Sequence, residues 1–196
     1  GIPMIANNDP VCLSDNPRDK RLRSSIMISW NDIRYIVDCG PDFRQQMLRE
    51  NIQSINGVLF THEHADHTAG IDDLRPYTYK MGEVPIYAQE RVIENLKVRF
   101  SYIFETENRY AGAPKLTENI IDVTSFMLQG VQVTPIAIMH GKLPITAYRF
   151  GNVAYITDLK TMSDQEKKKL ENLEILIVNA LRIDAHPTHL NLEEAL

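Results

Sequence analysis

Residues 61–70 read Thr-His-Glu-His-Ala-Asp-His-Thr-Ala-Gly, and three of the chain's six histidines stand in that run. Imidazole and carboxylate are donors that zinc, manganese and iron accept together. His62 and His64 are two apart, so in extended backbone both side chains leave on the same face, where one ion can take the pair. Asp66 and His67 come where the chain must turn into a following helix, and that turn can aim them at a second ion beside the first. Glu63 lies between the first two histidines, points the other way, and is expected in structural contacts.

Two ions need more donors than four residues provide. His140 ends the apolar run VTPIAIMH, and Asp158 ends VAYITD. The ends of strands are where a layered α/β fold tends to place its site. Asp158 is suited to bridge two ions, because a carboxylate has two oxygens. Asp38 closes a further apolar run; it either orients a ligand histidine or caps the turn at Gly40-Pro41. His186 and His189 follow the last apolar run, in AHPTHLNLEEAL.

Elements that could hold these groups alternate along the chain. Residues 24–30 and 33–38 read as strands joined by Asn31-Asp32, a tight turn. A helix opens at PDFRQQMLREN with proline near its first position. A short strand over 57–61 leads into the histidine cluster, followed by a helix over 69–79 that gives way to loop at Pro76. Residues 84–88 form a strand, and 90–102 a helix with apolar spacing at Val92, Ile93, Leu96 and Phe100. Residues 105–118 are polar and read as a loop. Strands follow over 125–128, 131–138, 145–150 and 153–157, with Gly130 and Gly151-Asn152 at the turns. Ser163 and Glu166 mark a capped helix over 163–170, and 174–179 is a last strand. This alternation favours one layered α/β domain over residues 1–196.

Composition bounds the function. The chain has 196 residues, 43% hydrophobic and 24% charged, enough for a packed core. No apolar run approaches the ~20 residues of a membrane span. Cys12 and Cys39 make no disulfide framework and read as small packed residues, so a reducing cytoplasm is expected. A net charge of −5 argues against general nucleic-acid binding. It leaves room for a phosphate substrate, because bound cations reverse the local field. The cationic runs at 18–23 and 167–169 read as solvated faces, with Arg21 or Arg23 still able to hold an anion.

The spacing His-x-His-x-Asp-His resembles the signature of the metallo-β-lactamase fold superfamily. GIPMI, PRDKRLRSS, VDCGPDFRQQ, THEHADHTAGIDDLRPY, MHGKLPITAYRF and HPTHLNLEEAL together resemble the branch that contains the phosphoribosyl 1,2-cyclic phosphate phosphodiesterase of phosphonate breakdown. The resemblance implies a four-layer αββα sandwich, two face-to-face sheets with helices outside. It implies one ion on His62, His64 and His140, and a second on Asp66 and His67, with Asp158 between them. The cofactor is then a pair of Zn2+ or Mn2+ ions, whose bridging hydroxide attacks a small cyclic phosphodiester or nucleotide-like substrate. Asp66 stands at that catalytic centre as well as on the metal. His189 matches the position of a catalytic histidine that protonates the departing alkoxide. Arg75 or Arg21 is a candidate for holding a remote part of the substrate.

Relatives in that branch begin with a strand and a Gly-Thr-Gly-Thr-Ser-like turn, and run on to a Thr-His segment that completes the second ion. The chain lacks both, so truncation at both ends is expected. Many relatives hold a structural zinc on three N-terminal cysteines. Here that stretch keeps only Cys12, and no such zinc is expected. A homodimer is a further expectation from the resemblance. Rival functions on the same scaffold are a thioesterase, a lactonase, a tRNA-processing nuclease, and a nucleotide-binding protein without turnover.

Overall fold

The computed structural model describes residues 2–196. A segment of short turns comes first, with α1 (Pro10–Leu13) capped by the Asp9 carboxylate. Asp42 clasps this segment to the domain, accepting from the Arg23 backbone N–H at 2.8 Å and from its guanidinium at 3.2 Å.

The first sheet has the order β1 (Ile26–Trp30), β2 (Ile33–Val37), β3 (Gly57–Leu59), β4 (Val84–Ala88), β5 (Leu116–Ile120). β1 and β2 are a hairpin turning at Asn31, whose φ of 51° suits asparagine. From β2 onward the pairings are parallel. The connections carry α2 (Phe43–Arg49), α3 (Ala65–Thr68), α4 (Arg75–Met81), α5 (Glu90–Arg99) and α6 (Ser101–Phe104).

The second sheet has the order β10 (Ile175–Val178), β9 (Val153–Ile156), β8 (Leu143–Phe150), β7 (Val131–His140), β6 (Phe126–Leu128). It is antiparallel except for β10, which runs parallel to β9. α7 (Asp164–Lys167) and α8 (Leu192–Ala195) complete the order.

Alternation along the strands sorts the core into layers. In β2, Ile36 faces the helices with Phe43, Tyr77, Val92 and Leu96, while Tyr35 and Val37 face the other sheet. Val58 and Leu59 divide the same way in β3. Between the sheets they meet Leu128, Val133, Tyr148, Phe150 and Tyr155. The outer face of the second sheet presents Ile136, Ile138, Ile145 and Ile156 to Leu159, Leu170 and Leu190. The result is the expected four-layer αββα sandwich, with a thin outer layer over the second sheet.

Several local expectations change. Pro76 starts α4 instead of ending a helix, because a first-turn proline gives up no intrahelical bond. The helix over 90–102 breaks at Phe100, whose backbone (φ −124°, ψ 42°) splits α5 from α6. The supposed loop 105–118 ends in β5, whose polar sequence LTENI hides an edge strand paired with β4. The helix expected over 163–170 tightens into a 3-10 turn at Lys168–Leu170.

β7 and β8 run past 138 and 145 to a two-residue turn, Gly141-Lys142, with Gly141 at φ 62°. That extension puts His140 at the hairpin tip, paired with Leu143. Pro135 sits in β7 beyond the reach of β6, where a missing N–H leaves no ladder bond unmade. Glu166 from α7 accepts the free Ala137 N–H nearby, at 2.7 Å.

β10 is an edge strand, and Ile175, Leu176 and Ile177 are between 42 and 51% exposed. No helix among the described residues is long and apolar enough to cross a membrane.

Candidate metal centre

The parallel strands β2, β3, β9 and β10 and the β7–β8 hairpin deliver their following residues to one edge of the sandwich. Past β2 comes Asp38; past β3, residues 61–68; at the hairpin tip, His140; past β9, Asp158; and past β10, the loop carrying His186 and His189. Asp38 and Asp158 both take positive φ, at 66° and 54°, a conformation that aspartate tolerates better than most residues.

Two glycines let the β2 and β3 loops press together. The Gly70 N–H bonds to the Cys39 carbonyl at 2.9 Å, and the Cys39 N–H to the His67 carbonyl at 2.8 Å. A Cβ on Gly70 would lie 2.1 Å from the Gly40 carbonyl oxygen, and one on Gly40 would lie 2.1 Å from that of Asp66.

Ligand-capable atoms fall into two groups that share His62: His62, His64 and His140, and His62, His67 and Asp158. Within each group they lie within 4.8 Å of one another. The His62 Nε2 is 3.0 Å from the His64 Nδ1 and 3.6 Å from the Asp158 Oδ2. The same Asp158 oxygen is 2.9 Å from the His67 Nε2. Asp66 stands beside these groups at the mouth, its side chain 58% exposed and its Oδ2 3.5 Å from the His67 Nε2.

Hydrogen bonds behind the rings select the nitrogen each histidine presents. Asp38 is fully buried and accepts from the His67 Nδ1 at 2.7 Å. The Thr61 hydroxyl donates its one proton to Asp38, at 2.9 Å from Oδ2, and therefore accepts from the His62 Nδ1 at 2.9 Å. The His140 Nδ1 donates to the Thr188 carbonyl at 2.9 Å. This network turns the Nε2 atoms of His62, His67 and His140 towards the site. Asp38 therefore orients His67 directly and His62 through Thr61.

Electrostatics follow from this crowding. Burial, with the charge of His67 next, pushes the His62 imidazole down to about 2 against the pull of Asp158. Burial also works against a charged His67, but Asp38 and Asp158 overwhelm it and raise that group to about 11. Asp158 is penalised by burial, yet His67 and His62 hold it well below the usual carboxylate range. The charged His67 thus faces two carboxylates, Asp38 and Asp158, while the neighbouring His62 stays neutral. A pocket that gathers imidazole nitrogens beside two carboxylates fits divalent cations, with His67 giving up its proton to the ion.

His189 is outside both groups. Its Nδ1 is 3.4 Å from the Asp158 Oδ1, and its ring centroid is 4.6 Å from that of His140. Burial lowers its pKa, opposed by Asp158 and assisted by His140 and His186. The His186 ring lies 5.0 Å further out, its Nδ1 facing Thr188. The Arg75 guanidinium meets Asp72 at 2.8 Å, and Arg23 is engaged by Asp42. Arg21 lines a shallow pocket with Ile2, Pro3 and Asp9.

Glu63 turns away from the site to the Arg91 guanidinium, in the structural role expected of it. Thr61, Arg91, Arg99 and the Thr188 carbonyl are the participants that the motif does not announce. Thr61 adjoins the cluster and could have been singled out as a hydroxyl next to a ligand. The arginines lie far along the chain with no spacing to mark them.

The family model described as a beta-lactamase superfamily domain matches residues 33–196. A crystal structure described as that of a new diphosphatase from the PhnP family superposes with a TM-score of 0.91 at 37% identity, covering 100% of this chain and 74% of that one. An octanoyltransferase of Porphyromonas gingivalis (strain ATCC BAA-308 / W83) is 39% identical over 200 residues, 100% of this chain and 40% of that protein. A ribonuclease Z of Parabacteroides distasonis is 28% identical over 151 residues, 73% of this chain and 48% of its own length. The chain therefore spans half or less of these two curated relatives. It belongs to the beta-lactamase superfamily.

Proposed function

We propose that the chain is a hydrolase that uses two divalent cations, Zn2+ or Mn2+, to cleave a phosphodiester or phosphoanhydride bond in a small substrate. The observation that carries this reading is the convergence of His62, His64, His67, His140 and Asp158 from both sheets, with the backs of three rings tied off. His62, His64 and His140 hold one ion, His67 and Asp66 the other, and Asp158 lies between them. When bound, the ions supply a water of lowered pKa and neutralise charge on the phosphoryl oxygens.

The chain's own residues do the rest. Asp38 and Thr61 keep His62 and His67 in the tautomer that presents Nε2. His189 stands next to Asp158 at the rim and delivers a proton to the leaving oxygen.

The named relatives support phosphate chemistry: a PhnP-family diphosphatase and a ribonuclease Z. The octanoyltransferase name belongs to a protein of which three fifths lies outside the shared region, and it keeps an acyl thioester in the test panel. The test is metal analysis of the purified chain. It is followed by turnover of bis(p-nitrophenyl) phosphate, ribose cyclic phosphates, a dinucleoside diphosphate and an octanoyl thioester with Mn2+ or Zn2+. Phosphate ester or anhydride hydrolysis that His64→Ala abolishes, together with metal, is the expected outcome. A chain that binds no metal, or that turns over only the thioester, overturns the reading.

A further inference from the structure

The first ion site draws His62 and His64 from the loop after β3, in the first sheet, and His140 from the hairpin of the second. One side chain grips both pieces. The Arg91 guanidinium pairs through Nη1 with the Glu63 carboxylate, and through Nη2 donates to the Pro144 carbonyl at 2.6 Å. Glu63 is the residue between His62 and His64. Pro144 opposes Met139 in the β7–β8 register, next to the pair His140 and Leu143.

Eight residues further along the same helix, Arg99 donates to the Glu63 carbonyl at 2.6 Å and to the Thr68 hydroxyl at 3.0 Å. At about 1.5 Å of rise per residue the two guanidinium-bearing positions are roughly 12 Å apart, enough to straddle the loop. Both the side chain and the carbonyl of Glu63 are thereby fixed, and with them the peptide planes that aim the flanking imidazoles. The second Glu63 oxygen is buried with no partner among the described residues, so its carboxylate depends on Arg91.

We propose that Arg91 is a positioning residue for the first ion site, setting the separation between the His62–His64 loop and His140 through the fork Glu63–Arg91–Pro144. A guanidinium can hold both acceptors at once, because its N–H groups diverge in one plane; an ammonium is a point donor that satisfies one at a time. The proposal rests on the reading of His62, His64 and His140 as ligands.

The test titrates Co2+ into the wild-type chain, Arg91→Lys, Arg91→Met and the double variant Glu63→Gln/Arg91→Met, following the visible d–d bands and the melting temperature of each metal-free protein. Arg91→Lys keeps a cation beside Glu63, and the double variant removes the carboxylate that Arg91→Met would strand. The expected result is a first-site affinity about 10–100-fold weaker in all three, the scale of supporting contacts at metal sites. The first-site band shape should change, second-site affinity should be unaffected, and Arg91→Lys and the double variant should melt close to wild type. Wild-type spectra and affinities in the variants would overturn the proposal. So would affinity losses that merely track losses in melting temperature. Absence of Co2+ binding by the wild-type chain would instead sink the ligand assignment itself, and the proposal with it.

Discussion

The carboxylate of Asp38 and the imidazole of His67 lie 2.7 Å apart, both sealed from solvent, although 29 residues separate them along the chain. Neither is a conventional core residue. They sit inside because each answers the other: the aspartate accepts the Nδ1 proton, and the histidine offers its opposite nitrogen to Asp158. The same aspartate reaches His62 through the Thr61 hydroxyl, so one buried anion governs rings in both ligand groups.

Asp38→Asn tests this control. Asparagine tolerates the φ of 66° at this position, so the backbone should hold. The amide is a weaker acceptor and carries no charge. Zn2+ affinity is expected to fall about 10–100-fold, measured by competition with a chromogenic chelator. An unchanged affinity would mean that Asp38 is merely a packed polar group.

His189→Ala should separate binding from turnover. Metal content is expected to stay at the wild-type level while kcat falls by about 10²–10⁴ on substrates with an alkoxide leaving group. The loss should be smaller on bis(p-nitrophenyl) phosphate, because p-nitrophenolate departs without needing a proton. Equal turnover of wild type and variant on the alkoxide substrate would remove His189 from its assigned role.

The metal-free chain should be most stable near neutral pH. His67 titrates near 11 in the folded chain and near its ordinary 6.5 when unfolded. Its contribution is complete below 6.5 and is lost as pH rises towards about 11. His62 is depressed to about 2, so below 6.5 the unfolded chain takes up a proton that the folded chain refuses. Stability therefore also declines as pH falls from 6.5. Urea titrations of the chelated protein from pH 4 to 10 should trace a maximum near 6.5. A monotonic profile would contradict the electrostatic picture. Metal uptake should release protons below about pH 11, because His67 must give up its own to bind.

Gly70→Ala should be costly despite its ordinary φ of −88°. The new methyl would sit 2.1 Å from the Gly40 carbonyl oxygen and 2.8 Å from the Phe43 Cβ. Chemical denaturation should show a loss of about 1–3 kcal/mol or more, with weakened metal binding because the β2 and β3 loops are forced apart. A neutral substitution would show that the loops have more freedom than their contacts imply.

Much of the centre was legible because its donors obey simple geometry. His62 and His64 are two residues apart in extended backbone, and His140 and Asp158 terminate apolar runs that read as strands. Of the two roles open to Asp38, its contacts with His67 and Thr61 fit the orienting one. What could not be read depends on contacts between distant segments. Nothing in the helix around Arg91 and Arg99 distinguishes these arginines from solvent-facing ones until β8 and the residue 63 loop are packed beside it. β5 is hidden in the sequence because an edge strand needs little apolar character, and Pro76 is ambiguous there because the same ring that breaks a helix interior is welcome in its first turn. Asp66 belongs to the motif, yet its side chain stands at the mouth beside the compact groups, a displacement that spacing does not reveal.

The last strand carries a practical warning. Among the described residues, β10 turns Ile175, Leu176 and Ile177 towards water along a border whose backbone hydrogen-bonding groups have no strand neighbour on one side. Such a border is a template onto which a stray extended peptide can add. Concentrated samples of the 196-residue chain should therefore grow turbid with time, and a lysine at 176 should keep them clear.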